Sequence, residues 1–216
     1  TEKQLDKDGP ILIDLDLKYC SSIKERQHTI YHVVDIIKTY LDVLLENVAD
    51  FCKLKEIPPF PVFVMEKDDV VLTPNFTKDG IHIIIGLALD RPYQIYLREE
   101  VLNAIHASRE FKLSNPNSLH SLPIWDQITW DNIIDEGVVI GNSNWQLYGS
   151  CKPGYESYKL TYHFTFSRLC GKENKWKFYL NYRKNYGKNN KKQLDDISKI
   201  TMQLESLILD DDKIKK

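Results

Sequence analysis

The chain has 216 residues, 42% of them apolar and 28% charged, with a formal net charge of −2. That length allows one large domain or two small ones, the composition is that of an ordinary globular protein, and no apolar run is long enough to cross a bilayer as a helix. The four cysteines, at positions 20, 52, 151 and 170, include no Cys-x-x-Cys pair, which argues against a zinc finger or a disulfide framework and points to free thiols in a reducing, intracellular compartment.

The first expected element is a strand over residues 11–18, Ile-Leu-Ile-Asp-Leu-Asp-Leu-Lys. Alternation puts Asp14 and Asp16 on one face and Ile13, Leu15 and Leu17 on the other. The two carboxylates then stand roughly 6.5 to 7 Å apart at their roots, close enough to share a metal ion or to clamp a pair of ions. A long amphipathic helix follows over about 26–53, with Ile30, Val33, Val34, Ile37, Tyr40, Leu41, Leu44, Leu45, Val48 and Phe51 in one stripe, until Pro58-Pro59-Phe60-Pro61 stops it.

Buried strands are expected at 62–65 and at 80–86, the second bounded by glycines. His82 shares its strand face with Ile84. Thr77-Lys78-Asp79-Gly80 before it is a turn whose lysine and backbone N–H groups suit phosphate oxygens. A second helix is expected over about 96–112, then short strands at 133–135 and 145–148 around a Gly-Asn-Ser-Asn turn. Asp135 ends the first of these, and Gly149-Ser150-Cys151-Lys152 follows the second, a glycine turn presenting a hydroxyl and an ammonium. A hairpin over 158–166 and 175–181 and a last helix near 191–208 complete an α+β, or mixed α/β, domain with a partly antiparallel sheet. The carboxylates belong on that sheet's exposed face.

Charge is unevenly spread. Over residues 168–192, nine basic side chains stand against Glu173 alone, a local +8 that leaves −10 for the rest of the chain. Arg168, Lys175, Lys177, Arg183, Lys184, Lys188 and Lys191, interleaved with Trp176, Phe178, Tyr179, Tyr182 and Tyr186, suit a groove in which a single-stranded template meets cations while its bases stack on rings. The competing reading is a solvated hairpin whose aromatics face the core.

Taken together, Asp14-x-Asp16 on a first strand, Asp79-Gly80-x-His82 opening a later one, Asp135 after apolar residues and Gly149-Ser150-x-Lys152 resemble the archaeo-eukaryotic primase domain. The version is that at the front of the primase-helicases of nucleocytoplasmic large DNA viruses, and the likeness covers residues 11–159. The resemblance implies a primase-polymerase fold, with an RRM-like catalytic sheet flanked by helices, occupying residues 1–209. It implies two Mg²⁺ or Mn²⁺ ions on Asp14, Asp16 and Asp135, with His82, Ser150, Lys152 and Lys78 at the triphosphate of an NTP or dNTP, and no structural zinc. Relatives often carry an arginine where this chain has Gln146, so triphosphate binding shifts toward Lys152 or another cation.

The implied activity is primer synthesis on single-stranded DNA in a viral replication compartment. Residues 210–216 then read as a charged linker toward a helicase portion of the same polypeptide. Two other readings stay open: a catalytically weak primase fold that binds template for the helicase, and an unrelated Asp-x-Asp enzyme such as a glycosyltransferase.

Overall fold

The computed structural model describes residues 4–47, 56–112, 115–146, 148–169 and 175–183. In chain order these form β1 (Gly9–Cys20), α1 (Ile30–Asn47), β2 (Glu56–Glu66), β3 (Val71–Leu72), β4 (Phe76–Leu89), α2 (Arg91–Lys112), a 3-10 turn (Leu119–Ser121), the helical turns α3 (Trp130–Ile133) and α4 (Glu136–Val139), β5 (Lys159–Leu169) and β6 (Lys175–Arg183). The strands make one six-stranded sheet, ordered β1-β4-β2-β5-β6 with β3 beside β4, and every pairing among them is antiparallel. The result is the mixed α+β architecture expected of the primase fold.

Strict alternation gives the sheet two unlike faces. Ile11, Ile13, Leu15, Leu17 and Tyr19 of β1, Ile81, Ile83 and Ile85 of β4, Val62 and Val64 of β2, and Phe164, Phe166 and Phe178 of β5 and β6 bury against α1 and α2. The opposite face carries Asp14, Asp16 and His82, with a second, smaller apolar cluster of Leu12, Met65, Val138, Trp145 and Tyr158 around them. Helices α1 and α2 thus cover one side, and the acids stand on the other, beside the short turn α4.

Several elements depart from their expected bounds. Helix α1 begins at Ile30 rather than near 26, because Arg26 and His28 are drawn into a buried ion cluster with Glu66 and Asp79. Its first turn is closed by His32, whose Nδ1 accepts from the Thr29 N–H at 2.9 Å, the part usually taken by a glutamate. Helix α2 begins at Arg91, five residues early, since Pro92 is tolerated in a first turn. Residues 133–135 are not a strand: they join two helical turns, and Ile134 alone bridges to Leu15 of β1. Trp145 and Gln146 likewise join no named strand. The expected helix at 191–208, the linker at 210–216 and the end of the first helix, from residue 48, lie outside the described residues.

Candidate active site

The β1–β4 register sets Asp14 opposite His82 and Asp16 opposite Gly80. Lys78, two residues before Gly80 on the same face, places Nζ 2.6 Å from Asp16 Oδ2. Trp145 donates its indole N–H to Asp14 Oδ2 at 3.1 Å. Burial, then the charges of Asp16 and Asp135, push the Asp14 carboxyl up to about 7.

His82 is held on three sides. Its ring stacks on Tyr158, with centroids 3.6 Å apart, and on Trp145 at 4.6 Å, and Nδ1 lies 2.8 Å from the Gln146 carbonyl oxygen. A carbonyl only accepts, so Nδ1 carries the proton. Burial lowers the imidazole to about 4, leaving it neutral with a lone pair on Nε2. That nitrogen lies 3.4 Å from Asp14 Oδ1, a buried oxygen with no hydrogen-bond partner. Two acceptors facing each other this closely call for a cation or a proton between them.

Asp135 reaches the same point by its main chain. Its N–H donates to the Asp14 carbonyl at 2.9 Å, next to the Leu15–Ile134 bridge. Arg98, buried on α2, clasps this segment from behind, its Nε and Nη2 donating to the Ile134 carbonyl at 3.0 and 2.7 Å and Nη2 also to that of Asp131 at 3.0 Å. The Asp135 side chain caps α4, with Oδ1 accepting from the Gly137 N–H at 2.8 Å.

The Ser150–Lys152 loop closes against Tyr158. Gly149, at φ +78°, takes the left-handed conformation that only glycine adopts readily, and its N–H donates to the Tyr158 carbonyl at 2.8 Å. Gly80 answers a different need: a Cβ there would lie 2.5 Å from the Tyr158 hydroxyl. Gln146 enters the site through its backbone carbonyl, on His82.

Among the described residues no three His, Cys, Asp or Glu side chains form a ready-made ligand set: Asp16 is engaged by Lys78, and Asp135 by the N–H group it caps. The donors nevertheless suit a hard divalent ion. They are carboxylates near enough for Asp16 and Asp135 to repel the charge of Asp14, which is buried and left with an orphaned oxygen.

The basic stretch divides. Trp176, expected to meet template, is 6% exposed on the helix-packed face, its indole N–H donating to Asp42 Oδ1 at 2.9 Å and its ring edge-on to Phe60. It is a core residue. Arg168 lies opposite it on the same side, over its ring, and Arg183 pairs with the buried Tyr162. Lys177, by contrast, is exposed opposite Ser167, and Lys175 opens the strand. Tyr179 and Tyr182 are exposed on the open face, where Tyr182 sits opposite His163, itself stacked on Phe63 at 4.7 Å. Lys184, Lys188 and Lys191 lie outside the described residues.

Sequence reasoning missed Arg98, Trp145 and Tyr158 as site-building residues. Arg98 carried a signal, since it stands beside the apolar stripe Leu97, Val101, Leu102 and Ile105. The two aromatic residues carried none that singled them out.

Residues 1–164 match the family model of the C962R protein N-terminal AEP domain, where AEP denotes archaeo-eukaryotic primase. The chain belongs to this family. Over 145 residues the AEP domain is also 29% identical to the helicase-named protein L207/L206 of Acanthamoeba polyphaga mimivirus, a match covering 67% of this chain and 13% of that protein. The chain therefore spans a small part of that relative's length. Every acid, lysine and histidine of the site falls within the stretch matched to the family, whereas the basic residues from 168 onward fall beyond it.

Proposed function

We propose that this AEP domain is a metal-dependent nucleotidyltransferase that makes short primers on single-stranded DNA from NTPs or dNTPs. The observation that carries the reading is the Asp14–His82 contact, an orphaned carboxylate oxygen against an unprotonated ring nitrogen, with Asp16 and Asp135 beside it on the sheet face that α1 and α2 leave free. Asp14, Asp16 and Asp135 would hold two Mg²⁺ or Mn²⁺ ions, which supply charge neutralisation at the attacking and leaving oxygens of phosphoryl transfer.

The chain's own residues do the remainder. Lys78 pairs with Asp16 in the metal-free chain, and an ammonium released from that pair would be available to phosphate oxygens. Lys152 and Ser150 offer a further cation and hydroxyl from the glycine turn. His82 Nε2 accepts in its neutral state, so gripping a phosphate oxygen requires it to take up a proton, which the phosphate's negative charge favours. Tyr158, Trp145 and the Gln146 carbonyl keep the ring in that one orientation.

The exposed Tyr179 and Tyr182, with Phe63, His163 and Lys177, continue the open face toward β6, and we assign the template strand to this side. A helicase portion of the same polypeptide and a viral replication compartment in an infected cell complete the proposal. A second reading, a catalytically weak template-binding module, draws on Gln146 and on the Lys78–Asp16 pair that closes the acids.

The test is primer synthesis on unprimed single-stranded DNA with labelled nucleotides and Mg²⁺ or Mn²⁺, comparing the chain with its Asp16→Ala variant. Metal-dependent oligonucleotides lost in the variant support the enzyme. Template binding without any product supports the second reading.

A further inference from the structure

Lys67 directly follows β2, whose last residue, Glu66, pairs with Ile81 one place before His82. Its ammonium lies 5.3 Å from the ring centre of Tyr155 and 5.1 Å from that of Tyr158. Since Tyr158 stacks on His82, a single ring joins Lys67 to the centre of the site.

The backbone here is fixed by the buried ion cluster. Arg26 Nη2 donates to the Lys67 carbonyl at 2.8 Å, while the same guanidinium grips both oxygens of Asp79, the residue after Lys78. His28 binds Glu66 through Nε2 and lies 2.9 Å from Asp79 Oδ2 through Nδ1, an ion-pair contact out of line for a hydrogen bond. The ends of β2 and β4 are thereby tied together, so Lys67 and Lys78 are presented side by side.

Their charges add. Lys152 belongs to the same corner, since its carbonyl accepts the N–H of Tyr155, the ring over which the Lys67 ammonium lies, at 3.0 Å. Burial, then the ammoniums of Lys78 and Lys152, push Lys67 below the ordinary lysine range, with Asp16 and Glu156 opposing. Lys78 is matched by Asp16, but among the described residues no carboxylate lies within ion-pair distance of Lys67 or Lys152. Positive charge gathered beside a carboxylate pair is the complement of a metal-bound polyphosphate: the acids serve the metal, and the cations must overcome their repulsion of the anion.

We propose that Lys67 is a phosphate-binding residue, forming with Lys78 and Lys152 a three-ammonium cradle for the terminal phosphates of the incoming nucleoside triphosphate. The inference rests on the nucleotidyltransferase reading and adds the cation that Gln146 does not supply.

The test is equilibrium binding of a fluorescent nucleoside triphosphate, and of the matching monophosphate, to the whole chain in Mn²⁺. Lys67→Ala, Lys67→Arg and Lys152→Ala are compared, each first checked for an unchanged melting temperature. Loss of one charge-assisted contact should weaken triphosphate binding about tenfold or more in Lys67→Ala. Monophosphate binding should hardly change, and Lys67→Arg should keep most of the affinity. A merely structural role beneath Tyr158 would weaken both ligands alike, and that result overturns the proposal. Normal triphosphate binding by Lys67→Ala beside a weakened Lys152→Ala removes Lys67 alone and leaves the parent reading standing. Normal triphosphate binding with weakened, less salt-dependent single-stranded DNA binding reassigns Lys67 to the template backbone. If the wild type binds no triphosphate, the parent reading fails and the cradle with it.

Discussion

Asp14 Oδ1 and His82 Nε2 face one another at 3.4 Å across the β1–β4 pair, and the only proton on the histidine points the other way, to Gln146. The strand pairing sets the two side by side, because Asp14 and His82 are direct cross-strand partners, and the Gln146 carbonyl with the Tyr158 and Trp145 rings turns Nε2 toward the carboxylate. What fills the gap between them decides the chemistry of the site.

Asp14 should make the metal-free protein less stable as pH rises. Its folded value, about 7, lies above the ordinary carboxylate value of 3.8, so the folded state holds a proton that the unfolded chain has already lost. The stabilisation is complete below about pH 4 and is lost as pH climbs through about 7. Asp14→Asn should therefore melt above the wild type at pH 8 without metal, with the gap closing at pH 5, and Mn²⁺ should raise the wild type's melting temperature more at pH 8 than at pH 6. Melting curves at these pH values decide it, and a pH-independent gap between variant and wild type rejects the idea.

Gly80→Ala should be destabilising for one specific reason. Its Cβ would meet the Tyr158 hydroxyl at 2.5 Å, while the next ring atom is 3.5 Å away. Overpacking of this kind costs about 1 to 3 kcal/mol. Tyr158→Phe removes the obstructing oxygen, so the double variant should regain most of the loss. Additive losses in denaturant unfolding would show that the hydroxyl is not the obstacle.

Arg98→Met should weaken metal binding from a distance. It leaves the Ile134 and Asp131 carbonyls without their buried donor, a cost of about 1 to 3 kcal/mol, and loosens the segment that sets Asp135 beside Asp14. The checks are unfolding free energy together with Mn²⁺ affinity. Lower stability with unchanged affinity would confine Arg98 to the core.

The two faces of β6 should separate by mutation. Tyr179→Ala and Tyr182→Ala, on the open face, should each weaken single-stranded DNA binding by about 1 to 3 kcal/mol at little cost in stability. Trp176→Phe, in the core with its indole bound to Asp42, should lower stability and leave DNA affinity alone. Fluorescence anisotropy and thermal melts distinguish them, and equal loss of DNA binding in all three would contradict the division.

Much of the site was legible because alternation is local. An Asp-x-Asp inside an apolar run must share a face, and the structure keeps Asp14 and Asp16 opposite Ile13, Leu15 and Leu17. The β6 aromatics were not legible for the same reason reversed. Trp176, Phe178 and Leu180 alternate into the core, and parity would send Tyr182 after them, but the register shift at His163/Phe164 turns it outward. The first helix misled because periodicity cannot show that Arg26 and His28 have buried carboxylate partners on β2 and β4. Asp135 was legible as an acid after apolar residues, yet its place beside Asp14 depends on Arg98, 37 positions away on another helix.

The most direct measurement is a crystal structure of the chain with Mn²⁺ and a non-hydrolysable nucleoside triphosphate, with the manganese located by anomalous scattering. One ion, or two about 3.5 to 4 Å apart, bounded by Asp14, Asp16 and Asp135, with the phosphates running toward Lys78 and Lys152, is the predicted result. Manganese and nucleotide bound elsewhere, with Lys78 still on Asp16 and the three carboxylates unengaged, would contradict a shared nucleotidyl-transfer centre.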